Sequence, residues 1–279
     1  MLQFRGLVLI LCLVLASSCV QAGDFGIVPD DRTSKSPWLV SVKESCGSSI
    51  GGGSLISKFV VLTSWVVIAY RNASELVVRI ENSPSLMEVR VRSVVRHPNF
   101  NVTTGVNNLG LLILKKSIEF NNKIAPINLA ARSSMRILDL SSCFAESSYK
   151  KTLPLPVVQT ATCEQELRRW LVFSFPLDDS LLCAGGRIGI WESGYPLVCP
   201  LASEPSRFQQ VGIINWHRNS GDNSTFDVYT NVVRLSGWIF RKVIQHSYVE
   251  DPEGNEEEIK CPDGEIADFF YFGRRERAN

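Results

Sequence analysis

Ser193 stands in the stretch GIWESGYPLVC (residues 189–199), and a serine at a glycine-containing turn is a candidate nucleophile. A hydroxyl attacks a carbonyl at neutral pH only when a neighbouring base takes its proton and a third group orients that base. The chain offers three histidines for the task, His97, His217 and His246. His97 falls in R-H-P-N-F, a surface-loop pattern, and His246 ends a predicted C-terminal helix, so both read as solvent-facing. Metal chemistry is not suggested, because the cysteines are far apart and lack the spacing of metal ligands. GGRIG (185–189) does not open a predicted helix, so it is not read as a phosphate loop. No metal and no cofactor are expected.

The elements that must position Ser193 are largely strands. MEVRVRSVV (87–95) alternates apolar and polar residues, and short apolar runs recur between clusters of Gly, Asn, Pro and Ser. Two helices are predicted. One is short and begins near Thr162, where T-C-E-Q forms a capping box and Cys163, Leu167, Trp170 and Leu171 share a face. The other is NVVRLSGWIFRKVIQ (231–245), with Leu235, Trp238, Ile239 and Val243 as an apolar stripe. After His246 the composition turns acidic, in VEDPEGNEEE, and periodicity is lost; residues 247–279 read as a tail.

The amino terminus carries Arg5 and the apolar run LVLILCLVLA (7–16), the pattern of a secretory signal peptide. Cleavage after Ala22 leaves six cysteines (46, 143, 163, 183, 199 and 261), whereas cleavage after Ser18 leaves seven. An even count suits an oxidising compartment, so residues 1–22 are taken as the signal and 23–246 as the domain. The sequons at Asn72, Asn101 and Asn223 fit the same extracellular route as glycosylation sites. With 29 basic and 28 acidic residues, no nucleic-acid partner is suggested. No later run reaches about 18 apolar residues, the longest being FVVLTSWVVIAY (59–70), so no membrane anchor is expected.

Across residues 27–245 the chain resembles the chymotrypsin/trypsin-like serine protease family. SPWLVSV (36–42), GGGSLISKFVVLTS (51–64), NNLGLLILKKSIEFNNKIAPINL (107–129), DDSLLCAGG (178–186), SGYPLVC (193–199), VGIINW (211–216) and DVYTNVVRLSGWI (227–239) carry the resemblance in the family's order. It implies an all-β fold of two six-stranded antiparallel barrels with a C-terminal helix and a cleft between the barrels. It does not by itself imply activity.

The resemblance places the catalytic positions at Val66, Asn108 and Ser193. Where the family reads T-A-A-H-C this chain reads T-S-W-V-V, and Asn108 stands for the aspartate. Valine cannot accept a proton, and an amide cannot stabilise an imidazolium. The family's G-D-S-G-G is W-E-S-G-Y, which puts Trp191 at an oxyanion position and Glu192 at the activation position. Pocket positions hold Arg187, Asn215, His217 and Asp227, which implies a narrowed cleft. The expectation is an inactive, secreted homologue acting on an extracellular protein partner as cofactor, decoy or adhesion factor, monomeric in preference to a disulfide-linked dimer. The alternative is a residual hydrolase pairing Ser193 with His217, although that strand position faces the outer groove. The resemblance also pairs Cys143 with Cys199 and Cys163 with Cys183, and leaves Cys46 to bond Cys261.

Overall fold

The computed structural model describes residues 36–81, 83, 87–146, 152–170, 177–185, 193–216 and 226–247. The expected signal segment and tail, Cys261, Asn223, and the site positions Arg187, Trp191, Glu192 and His217 lie outside these residues.

The first half is a closed six-stranded barrel of β1 (Leu39–Glu44), β2 (Ser49–Leu55), β3 (Val60–Thr63), β4 (Leu76–Ile80), β5 (Met87–Arg96) and β6 (Gly110–Leu114), joined in the order β1-β2-β3-β6-β5-β4. The alternation in β5 turns Val89 and Val91 inward and leaves Glu88, Arg90 and Arg92 outward. In β3 and β6 every residue is buried, as expected of strands covered on both faces.

The second half contains β7 (Asn128–Leu129), β8 (Phe144–Glu146), β9 (Thr152–Pro154), β10 (Val157–Val158), β11 (Leu181–Gly185), β12 (Pro196–Leu201), β13 (Glu204–Trp216) and β14 (Phe226–Asn231). Seven of these run in the order β10-β11-β14-β13-β12-β8-β9, and β7 adds to β13 in parallel. The fold is therefore the two-barrel one, with a closed first barrel and an eight-stranded half-barrel among the described residues of the second, where six antiparallel strands were expected. The surplus comes from two-residue strands, β7 and β10, too short to leave a periodic pattern.

Helix α1 (Thr160–Trp170) buries Cys163 and Leu167. It starts two residues before the expected capping box, so Thr162 lies inside the first turn and does not cap it. The Glu164 carboxylate instead accepts the Leu177 N–H at 3.1 Å. Helix α2 (Val232–Ser247) is capped by Asn231, whose Oδ1 accepts the Arg234 N–H at 3.2 Å. Its Leu235, Ile239 and Val243 join one apolar cluster with the first barrel and with Val198 and Ile213 of the second. That shared core holds the two halves, and the cleft between them, in one arrangement.

His97 corrects a sequence expectation. It is 7% exposed, its ring lies 4.8 Å from that of Trp238 on α2, and its Nδ1 accepts the Asn99 N–H at 3.3 Å. Pro98 does turn the chain, but the ring turns inward beneath a helix distant in sequence. Burial holds its pKa below the ordinary histidine value. Bridges join Cys143 to Cys199 and Cys163 to Cys183. Cys46, exposed after β1, is also disulfide-bonded, and the other described cysteines bond one another, so its partner lies outside the described residues. No helix among the described residues is long and apolar enough to cross a membrane.

Candidate functional site

Ser193 sits in the turn that enters β12, pinned between the two halves. The Gly52 N–H of β2 donates to the Ser193 carbonyl at 2.9 Å, and the Gly194 N–H donates to the Ile214 carbonyl of β13 at 3.1 Å. Gly194 has φ +90°, and a Cβ there would stand 2.3 Å from the Gly52 carbonyl oxygen and 2.7 Å from Thr63 Oγ1. Only glycine fits both the conformation and the contact. The turn is thus kept in the shape that presents a serine, whatever that serine does.

The Ser193 hydroxyl lies 3.0 Å from the Ser64 hydroxyl and 3.4 Å from the Ile214 carbonyl oxygen. Neither group takes up a proton near neutral pH, so among the described residues the hydroxyl has no base. Ser64 is fully buried, and sequence reading missed it. Its signal was a polar residue in T-S-W-V-V where the resembling family has alanine.

Val66 opens a 3-10 turn (Val66–Ile68) and is 38% exposed. Its N–H donates to Asn108 Oδ1 at 3.1 Å. Asn108, 1% exposed, donates from Nδ2 to Asn215 Oδ1 at 2.6 Å, and Asn215 Nδ2 donates to the Gly105 carbonyl at 2.8 Å. Thr230 Oγ1 adds a bond to the Asn108 carbonyl at 2.9 Å. The two amides satisfy each other in a neutral chain, which meets the requirement that buried polar groups be bonded. Asn215 lines the cleft, where its carboxamide is held between Asn108 and the Gly105 carbonyl. Asp227 is buried on β14, opposite Ala184.

Above the amides lies a cleft of about 330 Å³, walled by Val66, Phe100 and Val102. Trp65 stacks on Phe100 with centroids 4.4 Å apart and meets Tyr70 edge-on at 6.2 Å. Tyr70, almost wholly exposed, adopts φ 58°. A bulky residue in that left-handed region is unusual and costs free energy. The cleft beside Val66 is thus walled by apolar side chains, with Thr103 and the two amides also lining it. Among the described residues, no three His, Cys, Asp or Glu side chains gather closely enough to hold a metal ion.

Two close fits hold the Ser193 turn against β2. The Tyr195 ring occupies the space a Cβ on Gly52 would need, only 2.2 Å away. Its hydroxyl is 3.2 Å from Ser41 Oγ, which also bonds Glu81. Beside it, Val67 fills the space a side chain at Gly51 would take, with Cγ2 2.5 Å from that position. Of the sequons, Asn72 and Asn101 are exposed. Asn72 caps the turn Ala73–Glu75, and Asn101 Oδ1 accepts the N–H groups of Thr103 and Thr104 at 3.0 and 3.1 Å.

Residues 25–239 match the trypsin family model. The chain is 32% identical to phenoloxidase-activating factor 2 of Galleria mellonella, over 74% of this chain and 80% of that protein. It is 27% identical to the inactive CLIP domain-containing serine protease A8 of Anopheles gambiae, over 73% of this chain and 63% of the relative's length. With the inactive CLIP domain-containing serine protease A28 of the same organism it shares 25% identity over 84% of this chain and 70% of that protein. Serine turn, two-barrel frame and matched sequence coincide: this chain belongs to the chymotrypsin/trypsin-like serine protease family.

Proposed function

We propose that this protein is an exported, non-catalytic member of its family that binds other proteins, as an accessory factor to an active protease. The observation that carries this reading is the company of the Ser193 hydroxyl. It is bonded to Ser64 and to the Ile214 carbonyl, while Val66 and the Asn108–Asn215 amide pair stand where the family keeps its base and orienting carboxylate. Removing the nucleophile or base of a serine triad costs about 10⁶ in rate, or roughly 8 kcal/mol of transition-state stabilisation.

Relatives support the same role, since two are named inactive proteases and one an activating factor. The bridges Cys143–Cys199 and Cys163–Cys183 suit an oxidising compartment and hence the signal at residues 1–22. The exposed sequons Asn72 and Asn101 suit it too. A cleft walled by Val66, Phe100 and Val102, with Val66 and Val102 exposed, offers a surface for a protein partner.

The test separates binding from chemistry. Purified wild type and Ser193→Ala are added to an active protease of this family and its protein target, and both are expected to change processing to the same extent. Neither is expected to form a fluorophosphonate adduct. Loss of the effect in Ser193→Ala, or an adduct on Ser193 in the wild type, would return the site to catalysis, with His217 the base to examine.

A further inference from the structure

Two of the sequons stand at the ends of one aromatic row. Tyr70 meets Trp65 edge-on, and Trp65 stacks on Phe100. Asn72 follows Tyr70 by two residues, and Asn101 follows Phe100 directly. The second of these borders the cleft, because Phe100 and Val102 on either side of it and Thr103 within its own sequon all line that space. Consecutive Cα atoms are about 3.8 Å apart, so whatever Asn101 carries is rooted one residue from the cleft wall. Val102 is 77% exposed there, a bare apolar side chain at the lip.

The point of attachment is held firmly. The Asn101 N–H donates to the Val106 carbonyl at 3.0 Å, and the Gly105 N–H donates to the Asn101 carbonyl at 2.8 Å, which closes a turn. Gly105, at φ 70°, offers its own carbonyl to Asn215 Nδ2 at 2.8 Å, and Asn215 in turn holds Asn108. The sequon turn is thereby tied to the amide chain beneath the cleft, so it cannot swing aside without breaking buried hydrogen bonds. Asn101 Oδ1 accepts the Thr103 and Thr104 N–H groups, which fixes the plane of the carboxamide. Oδ1 and Nδ2 diverge from one carbon, so Nδ2, the atom to which a sugar is joined, faces away from those N–H groups.

We propose that an N-linked glycan on Asn101 gates the cleft, standing over Val102 and Phe100 at its lip so that a segment of single-chain width enters and a broad surface does not. A glycan is bulky and hydrated. Rooted on a turn that is pinned to the cleft floor, it excludes by volume and shields the exposed valine from water. The proposal deepens the reading of the cleft as a binding surface, and it rests on the export route of that reading, because sequons are modified in secreted chains.

The secreted protein tests it. Glycopeptide mapping is expected to find Asn101 occupied. Access is then read on Val66→Cys, at the cleft wall, by comparing alkylation by iodoacetamide with alkylation by a maleimide that carries a polyethylene glycol chain. Ile137→Cys, half exposed on the other half of the molecule, is the reference. The bulky reagent should be slowed about tenfold more at position 66 than at position 137, the factor for a mouth that stands clear about a tenth of the time. Asn101→Asp keeps an oxygen for the Thr103 and Thr104 N–H groups but cannot be glycosylated, and it should abolish the difference. So should a peptide-N-glycosidase acting on the folded protein, which leaves aspartate at the same position and serves if the variant itself fails to fold. Asn72→Gln should leave the difference in place. An unoccupied Asn101 beside an occupied Asn72 overturns the gate alone, whereas chains with no glycan at either site overturn the export reading with it. Equal slowing at position 66 with and without the Asn101 glycan also overturns the gate, and the processing assay decides separately whether the cleft binds a partner.

Discussion

Replacing Tyr195 by glycine restores the residue the active family carries in this turn, and it should nevertheless weaken this protein. The ring is 1% exposed, packed where Gly52 has no side chain, and its hydroxyl reaches Ser41. Deleting a buried aromatic side chain costs about 3–5 kcal/mol because the void does not fully collapse. The backbone here is held by the Ile214 N–H bond to the Tyr195 carbonyl at 2.9 Å, which limits relaxation. Taking about 4 kcal/mol, and 2–4 °C per kcal/mol for a domain of roughly this size, the melting temperature should fall by about 8–16 °C. Thermal melts with disulfides intact, alongside urea midpoints, measure it. Gly52→Ala provides the converse: its Cβ would lie 2.2 Å from the ring, so it should cost about 1–3 kcal/mol alone and less with Tyr195→Gly. A fall of less than about 2 °C for Tyr195→Gly, or equal costs of Gly52→Ala in both backgrounds, would refute the reasoning.

Other substitutions probe the cleft and the core. Val66→His with Asn108→Asp should yield no measurable turnover of peptide substrates beyond a Ser193→Ala control, because Asn215 Oδ1 already faces position 108 at 2.6 Å and would repel the new carboxylate. Asn108→Asp alone should lose about 2–4 kcal/mol at pH 7 in urea unfolding. Its folded pKa is raised by burial, so stability returns as acid protonates the carboxyl and restores a donor to Asn215. His97 has a folded pKa below its unfolded value of about 6.5. Stability is full above that pH and is lost as pH falls towards the folded pKa, because the unfolded chain takes up the proton first. His97→Gln should shrink the difference between urea midpoints at pH 7.5 and 5.5, leaving a smaller part from His246, whose pKa is lowered in the same direction.

What the sequence disclosed depended on whether the cause was local. Strand β5 was legible because its alternation lies within ten residues, and α2 because its stripe and Asn231 cap are contiguous. That Val66, Asn108 and Ser193 stand at the family's catalytic positions rests on the resemblance alone, since no local property of a valine says that a histidine is missing. The start of α1 was misread because a capping box is a pattern that can also occur inside a helix. His97 was misread because its cover, Trp238, is far away in sequence. The Ser64–Ser193 contact, the Asn108–Asn215 hydrogen bond and the Tyr195–Gly52 fit were invisible for the same reason: each joins segments far apart in sequence, which no window of sequence contains.

The fit at Gly51 also carries history. In the resembling family this position and that of Val67 are the two halves of a bridge beside the catalytic histidine. Here a Cβ on residue 51 would meet Val67 Cγ2 at 2.5 Å and the Ser193 carbonyl oxygen at 2.7 Å. Valine at 67 is compatible only with glycine at 51, so in the lineage the small residue arose first, or the two arose together. A return is closed in the other direction. Cysteine at 51 clashes while valine stays, and cysteine at 67 alone gains no partner, so every single step back is worse than staying put. Even the pair of changes must wait until the Ser193 turn withdraws from β2. Ancestral proteins reconstructed along this branch should therefore show glycine at 51 before or with valine at 67, and none should carry valine with a bulkier residue opposite.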